Sequence, residues 1–366
     1  MVAHNDVLAA FRHQVDWCEQ LGSAFTARLL RILADDIEAG GPVAALISGF
    51  DEEPVAAALA LRVAGAFHAR ALEEADARLV ALYDKAATDG GVHVGDMEMR
   101  SILLDDLVGA SEHYQTYLKS APQTNEVGRS AVLMAGYLMI ADRFSLPLDI
   151  AEIGASAGLN LGFDQFSYRL GVLETGTSGS SVRLAPVWTG GTPPSACVSV
   201  RHRRGCDIAP MDASDARDRL RLQSYVWPDQ PERLARLRGA LQIARELAIS
   251  VERMSADVFV EDVLSQRQPG AVQVIAHTIM WQYMPEPMRG HIARMIEVAG
   301  ASANEEAPLA WLRFEPLDVK DVPTLSLTMW PGGDRQDLAQ AHPHGREVNW
   351  VARPTGPSGK SGRDVS

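Results

Sequence analysis

The chain has 366 residues, of which 46% are hydrophobic, so it is long enough to bury one large core or two ordinary ones. Its formal net charge of -13 argues against a nucleic-acid-binding surface, because phosphate contacts need clustered lysine and arginine. Its 3 scattered cysteines argue against a disulfide framework, and no apolar run is long enough to span a bilayer. The N-terminus also lacks the basic region and apolar run of a signal peptide, so the sequence predicts a soluble cytoplasmic protein.

Residues 1–145 carry apolar side chains at helical spacing and show no alternation with period two. The capping residues predict successive helices that begin at Asn5 or Asp6, Ser23, Pro54, Asp96 and Asn125. The helix from Pro54 is expected to run toward Leu82, and the helix from Asp96 toward Leu118. We interpret this part as a helical bundle or lid whose apolar residues form a core.

From Pro147 onward the pattern changes to strands that alternate with helices. Strands are predicted at residues 148–153, 198–207, 249–254, 271–279 and 309–314. Residues 325–330 and 348–351 are interpreted as an antiparallel hairpin with a long connection. The predicted fold class is therefore α/β, with a Rossmann-like sheet of the class I methyltransferase type over residues 146–353. Residues 354–366 are rich in Pro, Gly, Ser and charge, which predicts a disordered tail.

The first predicted strand ends in the stretch Glu-Ile-Gly-Ala-Ser-Ala-Gly, residues 152–158. Gly154 and Gly158 allow a sharp turn and a close approach to a ligand, and the amphipathic segment that follows predicts a helix whose N-terminus would face that ligand. The glycines do not have the register of a pyrophosphate site, because Ser156 or Ala157 stands in place of the closest-approach glycine. A ligand without phosphate, such as S-adenosylmethionine, fits better. The alternative is an ordinary strand-to-helix turn packed with small residues.

Three successive predicted strands end at acidic residues, which are Glu152, Asp207 and Asp257. Because ligands of open α/β sheets bind outside the carboxyl ends of the strands, these acids are candidates for one site. In an adenosylmethionine site the first acid would meet the methionine amine, the second the ribose hydroxyls, and the third the adenine amino group. The alternative for each acid is a loop start, where aspartate is common.

Candidate catalytic residues follow the next two strands. His277 ends the apolar run 271–276, Tyr283 lies shortly after it, and Glu315 ends the strand after that. Histidine is the natural base near neutral pH, although a histidine at a strand end is more often a hydrogen-bonded structural residue. Cys197, His202 and Cys206 are of the residue types that bind zinc, but a fourth ligand is not evident, so no metal site is predicted.

Several longer segments match a known family in their residue types. They are residues 123–130, 152–161, 204–207, 226–233 and 343–346, together with Leu61, Arg62, Gly65 and His68. Over nearly its whole length the chain resembles an uncharacterised bacterial family described as a domain of unknown function, the "two-three-three-two" family. That family looks similar in fold to class I methyltransferases that use S-adenosylmethionine. The resemblance implies that Asn125, Glu126 and Arg129 belong to the cofactor site, whereas their alternative is an N-cap and a salt bridge.

These observations favour a methyltransferase that uses S-adenosylmethionine and acts on a small or medium acceptor, with the helical part as a lid. One alternative is a non-catalytic ligand-binding or regulatory protein, because a fold does not determine a function. Another is a nicotinamide-dependent oxidoreductase. The expected partner is a small-molecule acceptor, with neither nucleic acid nor membrane involved. The sequence names neither the acceptor nor the oligomeric state.

Overall fold

The computed structural model describes residues 4–318 and 321–352. By packing, the chain forms two compact units. The first consists of Met1–Thr124 and Ala213–Arg238, and the second of Asn125–Asp212 and Gly239–Ser366. The predicted tail at 354–366 lies outside the described residues. This division differs from the sequence-based one at residue 145, because residues 125–145 belong to the second unit and residues 213–238 to the first.

The chain contains twelve α-helices in its described part, numbered in chain order. They are α1 (His4–Gln20), α2 (Ala24–Glu38), α3 (Pro42–Ile47), α4 (Leu59–Leu72), α5 (Ala77–Asp89), α6 (Asp96–Gly109), α7 (Ser111–Leu118), α8 (Ser130–Phe144), α9 (Ala216–Ser224), α10 (Pro231–Glu246), α11 (Ala256–Ser265) and α12 (Glu286–Ala301). Short 3-10 helices cover Val127–Arg129, Leu159–Gln165 and Trp281–Tyr283. No helix among the described residues is both long and apolar enough to cross a membrane.

Two long helices predicted in the first unit are each split in two. The helix expected from Pro54 to Leu82 is replaced by α4 and α5, because Asp76 begins a new helix. Its carboxylate accepts hydrogen bonds from the N–H groups of Arg78 (2.8 Å) and Leu79 (3.0 Å), as an N-cap does. The helix expected from Asp96 to Leu118 likewise breaks into α6 and α7, at a glycine that weakens a helix interior.

The first unit is a helical bundle around buried aromatic side chains. Phe11, Phe25 and Phe67 are buried in one continuous apolar cluster with residues of α1 to α7. Helix α9 joins this bundle, where the ring nitrogen Nδ1 of His68 lies 3.1 Å from the carbonyl oxygen of Ser224. Burial lowers the pKa of His68 to about 4, so this histidine is neutral at physiological pH.

The second unit is built on a nine-stranded sheet with a small three-stranded sheet beside it. The strands are β1 (Leu148–Ile153), β2 (Ser167–Leu170), β3 (Leu173–Gly176), β4 (Arg183–Leu184), β5 (Val187–Gly190), β6 (Val200–Asp207), β7 (Glu252–Arg253), β8 (Val272–Thr278), β9 (Leu309–Glu315), β10 (Thr324–Trp330), β11 (Arg335–Ala341) and β12 (Glu347–Trp350). The large sheet has the order β5-β12-β11-β10-β9-β8-β1-β6-β7, and the small sheet the order β3-β2-β4.

Strands β7, β6, β1, β8 and β9 pair in parallel with one another and form one side of the large sheet, from the edge strand β7 to β9. From β1 the chain adds β6 and β7 on one side, and then β8 and β9 on the other. The strand order therefore reverses between β1 and β8, which is the point where open α/β sheets bind ligands. All five strands predicted for this region are present, in a mixed α/β fold with a helical N-terminal part and a large, mostly parallel sheet.

The C-terminal strands differ from the predicted hairpin. Strand β10 pairs antiparallel with both β9 and β11, and β12 pairs with β11. The residues interpreted as a long connection therefore contain β11, which makes a meander of three strands. Strand β11 was missed because its first residues, Arg335, Gln336 and Asp337, are polar and exposed. A polar edge region of this kind gives no apolar run and no clear alternation.

The helix predicted after the glycine turn is instead a 3-10 helix of seven residues, Leu159–Gln165. It is followed at once by β2, because Phe163 and Phe166 are fully buried and the chain turns into the small sheet. The α-helix whose dipole was expected to face a ligand at this turn is therefore absent from the described residues, and one short 3-10 helix takes its place. Ligand recognition at the turn would then depend on side chains.

Both faces of the large sheet are covered by helices. Helix α8 packs on β9, β10 and β11, and Gly136 permits its close approach, because a Cβ there would lie 2.4 Å from Leu312 Cδ1. On the opposite face Phe259 of α11 and Ile292 and Ile296 of α12 pack against apolar residues of β1, β8 and β9. Because α8 packs on the sheet, it belongs to the second unit, although the sequence-based division assigned it to the helical part.

Candidate functional site

The turn after β1 has an unusual backbone at the strand-order reversal. Gly154, Ser156 and Gly158 all lie in the left-handed region, with φ of 68°, 56° and 70°. Serine is uncommon there, and such residues persist only where surrounding contacts fix them. The Ser156 N–H donates to Asp207 Oδ2 at 3.0 Å, and its carbonyl oxygen accepts from the Met211 N–H at 3.1 Å. These two bonds hold Ser156 in its strained conformation.

Other amides of the turn also donate to protein acceptors. The Ala155 N–H donates to the Cys206 carbonyl (3.0 Å), the Gly158 N–H to the Ala155 carbonyl (2.7 Å), and the Leu159 N–H to Asn125 Oδ1 (2.9 Å). A phosphate cradle presents such N–H groups to its ligand. These amides of the turn are therefore engaged within the protein and are not presented to an anion as in a phosphate cradle.

The two glycines of the turn approach protein side chains closely. A Cβ on Gly154 would lie 2.9 Å from Met280 Cγ, and a Cβ on Gly158 would lie 2.7 Å from Ile249 Cγ2. Met280 belongs to the loop after β8, so the turn after β1 and the loop after β8 are in contact. Side chains thus fill the space that a larger residue at either glycine would occupy.

Asp207 and Asn125 both hold the turn in place. The two carboxylate oxygens of Asp207 accept hydrogen bonds from the N–H groups of Ser156 and Ala209, at 3.0 and 2.9 Å. Asn125 uses its side-chain oxygen for Leu159 and not for the start of α8, so its interpretation as an N-cap was wrong. Glu126 takes the capping position instead, and its Oε1 accepts from the Gly128 N–H at 3.1 Å.

Glu152 is the most strongly perturbed acid of the site. It is 3% exposed, and its Oε2 has no hydrogen-bond partner among the described residues. Burial raises the pKa of Glu152 to about 8, against the opposing effects of a hydrogen bond from Asn160 and the positive charge of Arg129. Ser130 donates to Asn160 Oδ1 at 2.7 Å and so orients this amide. At neutral pH Glu152 is therefore mainly a neutral carboxylic acid.

Arg129 links three segments on the same side of the sheet. Its guanidinium donates to the carbonyl oxygens of Thr278 (3.2 Å) and Pro343 (3.0 Å). It also lies close enough to Glu152 to lower the pKa of that acid. Together with the bond from Leu159 to Asn125, this places Asn125 and Arg129 beside the turn, and their membership of a cofactor site stays a prediction.

His277 lies on the opposite face of the sheet and is fully buried. The Trp311 indole N–H, which can only donate, reaches His277 Nε2 at 3.1 Å. That nitrogen must therefore accept, so the proton is on Nδ1, which donates to Glu315 Oε1 at 2.7 Å. Trp281 stacks on the ring at 4.6 Å. Both ring nitrogens are engaged, and His277 holds Glu315 in position.

Glu315 has one engaged carboxylate oxygen and one buried oxygen without a partner among the described residues. Its Oε1 accepts from His277 and from the Met280 N–H (3.2 Å), while its Oε2 has no partner among the described residues. The side chain is 11% exposed. Tyr283, the other candidate after β8, is 78% exposed. Glu315 is thus held near the contact between Met280 and Gly154.

Asp257 lies in the first turn of α11, beyond β7. A hydrogen bond from Ser255, followed by smaller contributions from backbone N–H groups, lowers the pKa of this carboxyl. Its Oδ1 is buried and has no partner within the described ranges. No contact joins Asp257 to Glu152 or Asp207 in the part of the chain that the structure describes, so its predicted role with adenine stays a prediction.

The comparison with protein families decides the family. Residues 8–350 match the family described as "Uncharacterized protein conserved in bacteria (DUF2332)". The chain belongs to this family. The match includes every candidate site residue and confirms the family to which the sequence was assigned. No curated protein and no solved structure matched the chain.

Four side chains that were not predicted as site residues contact or support the predicted ones. Asn160 and Ser130 support Glu152, Trp311 fixes the proton on His277, and Met280 covers Gly154. Ser130 and Asn160 lay inside segments that carry the family resemblance, and Trp311 lay inside a predicted strand. None of them was assigned a role, because their contacts depend on helix and strand packing. The described residues contain no group of three or more His, Cys, Asp or Glu side chains that could hold a metal ion.

Proposed function

We propose that the chain is a methyltransferase that uses S-adenosylmethionine and acts on a small or medium acceptor. The strand order supports this function. Parallel strands β7-β6-β1-β8-β9 reverse their order beside β1, and antiparallel β10 follows β9. An antiparallel strand at this end of the sheet distinguishes the class I methyltransferase type from the fully parallel dinucleotide-binding type. The proposed ligand lies outside the carboxyl ends of β1, β6 and β8.

The observation that carries the proposal is the buried, unpartnered oxygen of Glu152 at the carboxyl end of β1. An acid at this position would bind the protonated amine of the methionine part. Without the ligand Glu152 is mainly neutral, and the positive charge of the amine would favour its carboxylate form on binding. Asp207 would meet the ribose, and the turn of Gly154, Ser156 and Gly158 would lie under the ligand. S-adenosylmethionine would supply an activated methyl group. The protein would bind it, orient it and hold the acceptor beside it.

Glu315 is the proposed proton acceptor, and His277 its positioning residue. The bond from Trp311 fixes the proton on Nδ1 of His277, and that proton fixes the rotamer of Glu315. The second oxygen of Glu315 can then take a proton from the acceptor. Tyr283 is exposed at the same edge and would contact the acceptor. This arrangement replaces the predicted role of His277 as the base.

A second candidate function is a non-catalytic ligand-binding protein on the same fold. The turn after β1 favours it, because protein acceptors take several of its N–H groups and Met280 packs against Gly154. On this view Glu152 and Asp207 maintain the turn, and the ligand differs from S-adenosylmethionine.

Ligand-dependent thermal unfolding distinguishes these functions. S-adenosylhomocysteine at a hundredfold excess over its dissociation constant should stabilise the protein by about 2.7 kcal/mol, and NAD should have no effect. Glu152→Gln should remove the stabilisation, whereas Glu174→Gln, a change at an exposed position of β3, should leave it intact. A protein that responds to neither S-adenosylmethionine nor S-adenosylhomocysteine would contradict the methyltransferase and leave the second candidate.

A further inference from the structure

Large apolar side chains are exposed on the loops at the carboxyl edge of the sheet. Ile208 follows β6 and is 78% exposed, Tyr283 follows β8 and is 78% exposed, and Leu317 follows β9 and is 79% exposed. Val258, in the first turn of α11, and Val322, just before β10, are 50% and 58% exposed. Because β10 is antiparallel to β9, its first residues lie at the same edge. We call these five residues the apolar rim.

The position of the apolar rim relates it to the site. Strand β1 lies between β6 and β8, so the loops that carry Ile208 and Tyr283 flank the turn after Glu152. Exposed apolar side chains that occur singly need no explanation, and we interpret their grouping on the loops of one sheet edge as a binding surface. Small-molecule sites are lined mainly by apolar side chains with a few placed polar groups. Elsewhere on this unit Val172 and Val298 are exposed to a similar degree, on a turn and on the outer side of α12.

The negative charge of a carboxylate at this edge determines which polar head group the ligand should carry. Glu315 ends β9, two residues before Leu317, and accepts from the Met280 N–H in the segment that leads to Tyr283. Its other carboxylate oxygen is buried and has no hydrogen-bond partner in the described residues. A buried or half-buried carboxylate is most stable beside a positive charge. The net charge of -13 over the whole chain also attracts cations and repels anions. An amine is therefore favoured over a carboxylate as the head group.

We propose that the acceptor is a cationic amphiphile, whose aliphatic or aromatic body packs on the apolar rim and whose protonated amine pairs with Glu315. Its role as an acceptor rests on the proposed methyltransferase function, whereas its binding does not. The apolar rim sets specificity through the area of the ligand that it removes from water. Each added methylene of the ligand therefore strengthens binding until the rim is covered.

Calorimetric titration of the full chain with n-alkyl amines of increasing length tests this assignment. Without any nucleoside present, affinity should rise about fourfold for each added methylene. Carboxylates of equal chain length should bind more weakly. Leu317→Ser and Ile208→Ser should flatten the dependence on chain length, and Glu315→Gln should remove the preference for amines. Val172→Ser and Val298→Ser are matched controls and should leave both properties unchanged.

Two results would overturn the assignment. One is equal dependence on chain length in the Leu317→Ser protein and the Val298→Ser protein. The other is equal affinity for amines and carboxylates in the unmodified chain. Thermal unfolding shows whether each variant is folded, and Val322→Ser replaces Leu317→Ser if that protein is not. The response to S-adenosylhomocysteine is measured in parallel, so amine binding without that response would refute the methyltransferase and keep the apolar rim as a binding site.

Discussion

Replacing Glu152 by glutamine should make the stability of the second unit less dependent on pH. In the folded chain burial raises the pKa of Glu152 to about 8, from an ordinary value of 4.5 that applies when the chain is unfolded. Between these two values the unfolded state loses the proton and the folded state keeps it. The contribution of Glu152 to stability is therefore complete below the unfolded pKa and is lost as pH rises toward the folded pKa.

The size of the effect follows from the interval between the folded and unfolded pKa values of Glu152. Each pH unit between the two pKa values costs about 1.4 kcal/mol of stability. From about pH 5 to about pH 7 the unmodified protein should thus lose roughly 3 kcal/mol relative to Glu152→Gln. Glutamine is a suitable replacement because it has the shape of the neutral acid and still accepts a hydrogen bond from Asn160.

Native-state hydrogen exchange of the β1 amides measures this difference, because it reports the unit that contains Glu152 and not the helical bundle. Exchange free energies are compared at the two pH values in the unmodified protein, in Glu152→Gln and in Glu174→Gln. Glu174 is exposed on β3, so its replacement should leave the pH dependence unchanged. If Glu152→Gln has the same pH dependence as the unmodified protein, Glu152 is ionised at neutral pH and the reasoning from burial is refuted.

Three further predictions concern the neighbours of the two acids. Ser130→Ala should lower the free energy of unfolding by about 1 to 3 kcal/mol, because Asn160 Oδ1 loses a buried donor at 2.7 Å; an unchanged value in urea unfolding would contradict that bond. Trp311→Phe should remove the donor to His277 Nε2, so the NMR resonances of that imidazole should shift, whereas a spectrum like that of the unmodified protein would show that another group fixes the tautomer. Gly136→Ala should destabilise by about 1 to 3 kcal/mol, since its Cβ would overlap Leu312 at 2.4 Å; Gly109→Ala, where a Cβ meets open space, is the matched control.

Most of the sheet could be predicted from the sequence, because its central strands are apolar runs. Strands β1, β8 and β9 are buried along most of their length and therefore read as continuous hydrophobic segments. Strand β11 begins with polar residues and was missed. The helix breaks were missed for a different reason. Helix propensity continues across residues 72–77, and only the tertiary arrangement decides that Asp76 starts a new helix.

The site was predicted in part, because acids at strand ends are visible in a sequence and their partners are not. Glu152, Asp207 and Glu315 do stand at the ends of β1, β6 and β9. Their chemical state depends on Asn160 and Trp311, which reach them through packing. The capping role assigned to Asn125 failed for the same reason, since a side chain that can cap its own helix can also bind a distant amide.

Two of the four non-glycine residues with positive φ in the described part of the second unit lie where the strand order reverses; the other two are Ser145 and Ala248. Ser156 follows β1 and Ile279 follows β8, and both have positive φ, at 56° and 48°. For a β-branched residue such as Ile279 this conformation is a genuine outlier that costs of order 1 to 3 kcal/mol. The Ile279 N–H donates to the Phe314 carbonyl at 2.9 Å, and the next residue, Met280, donates to Glu315 and packs against Gly154.

The two strained turns are therefore joined through Met280, and each is fixed by an acid at the end of another strand: Asp207 holds Ser156, and Glu315 holds Met280. A fold gains nothing in stability from two such conformations side by side, so their retention needs another cause. Strained backbone clusters at ligand sites, where it sets the direction of the binding groups. The backbone geometry by itself therefore favours the carboxyl edge between β1 and β8 as a binding site, whatever ligand is assigned to it.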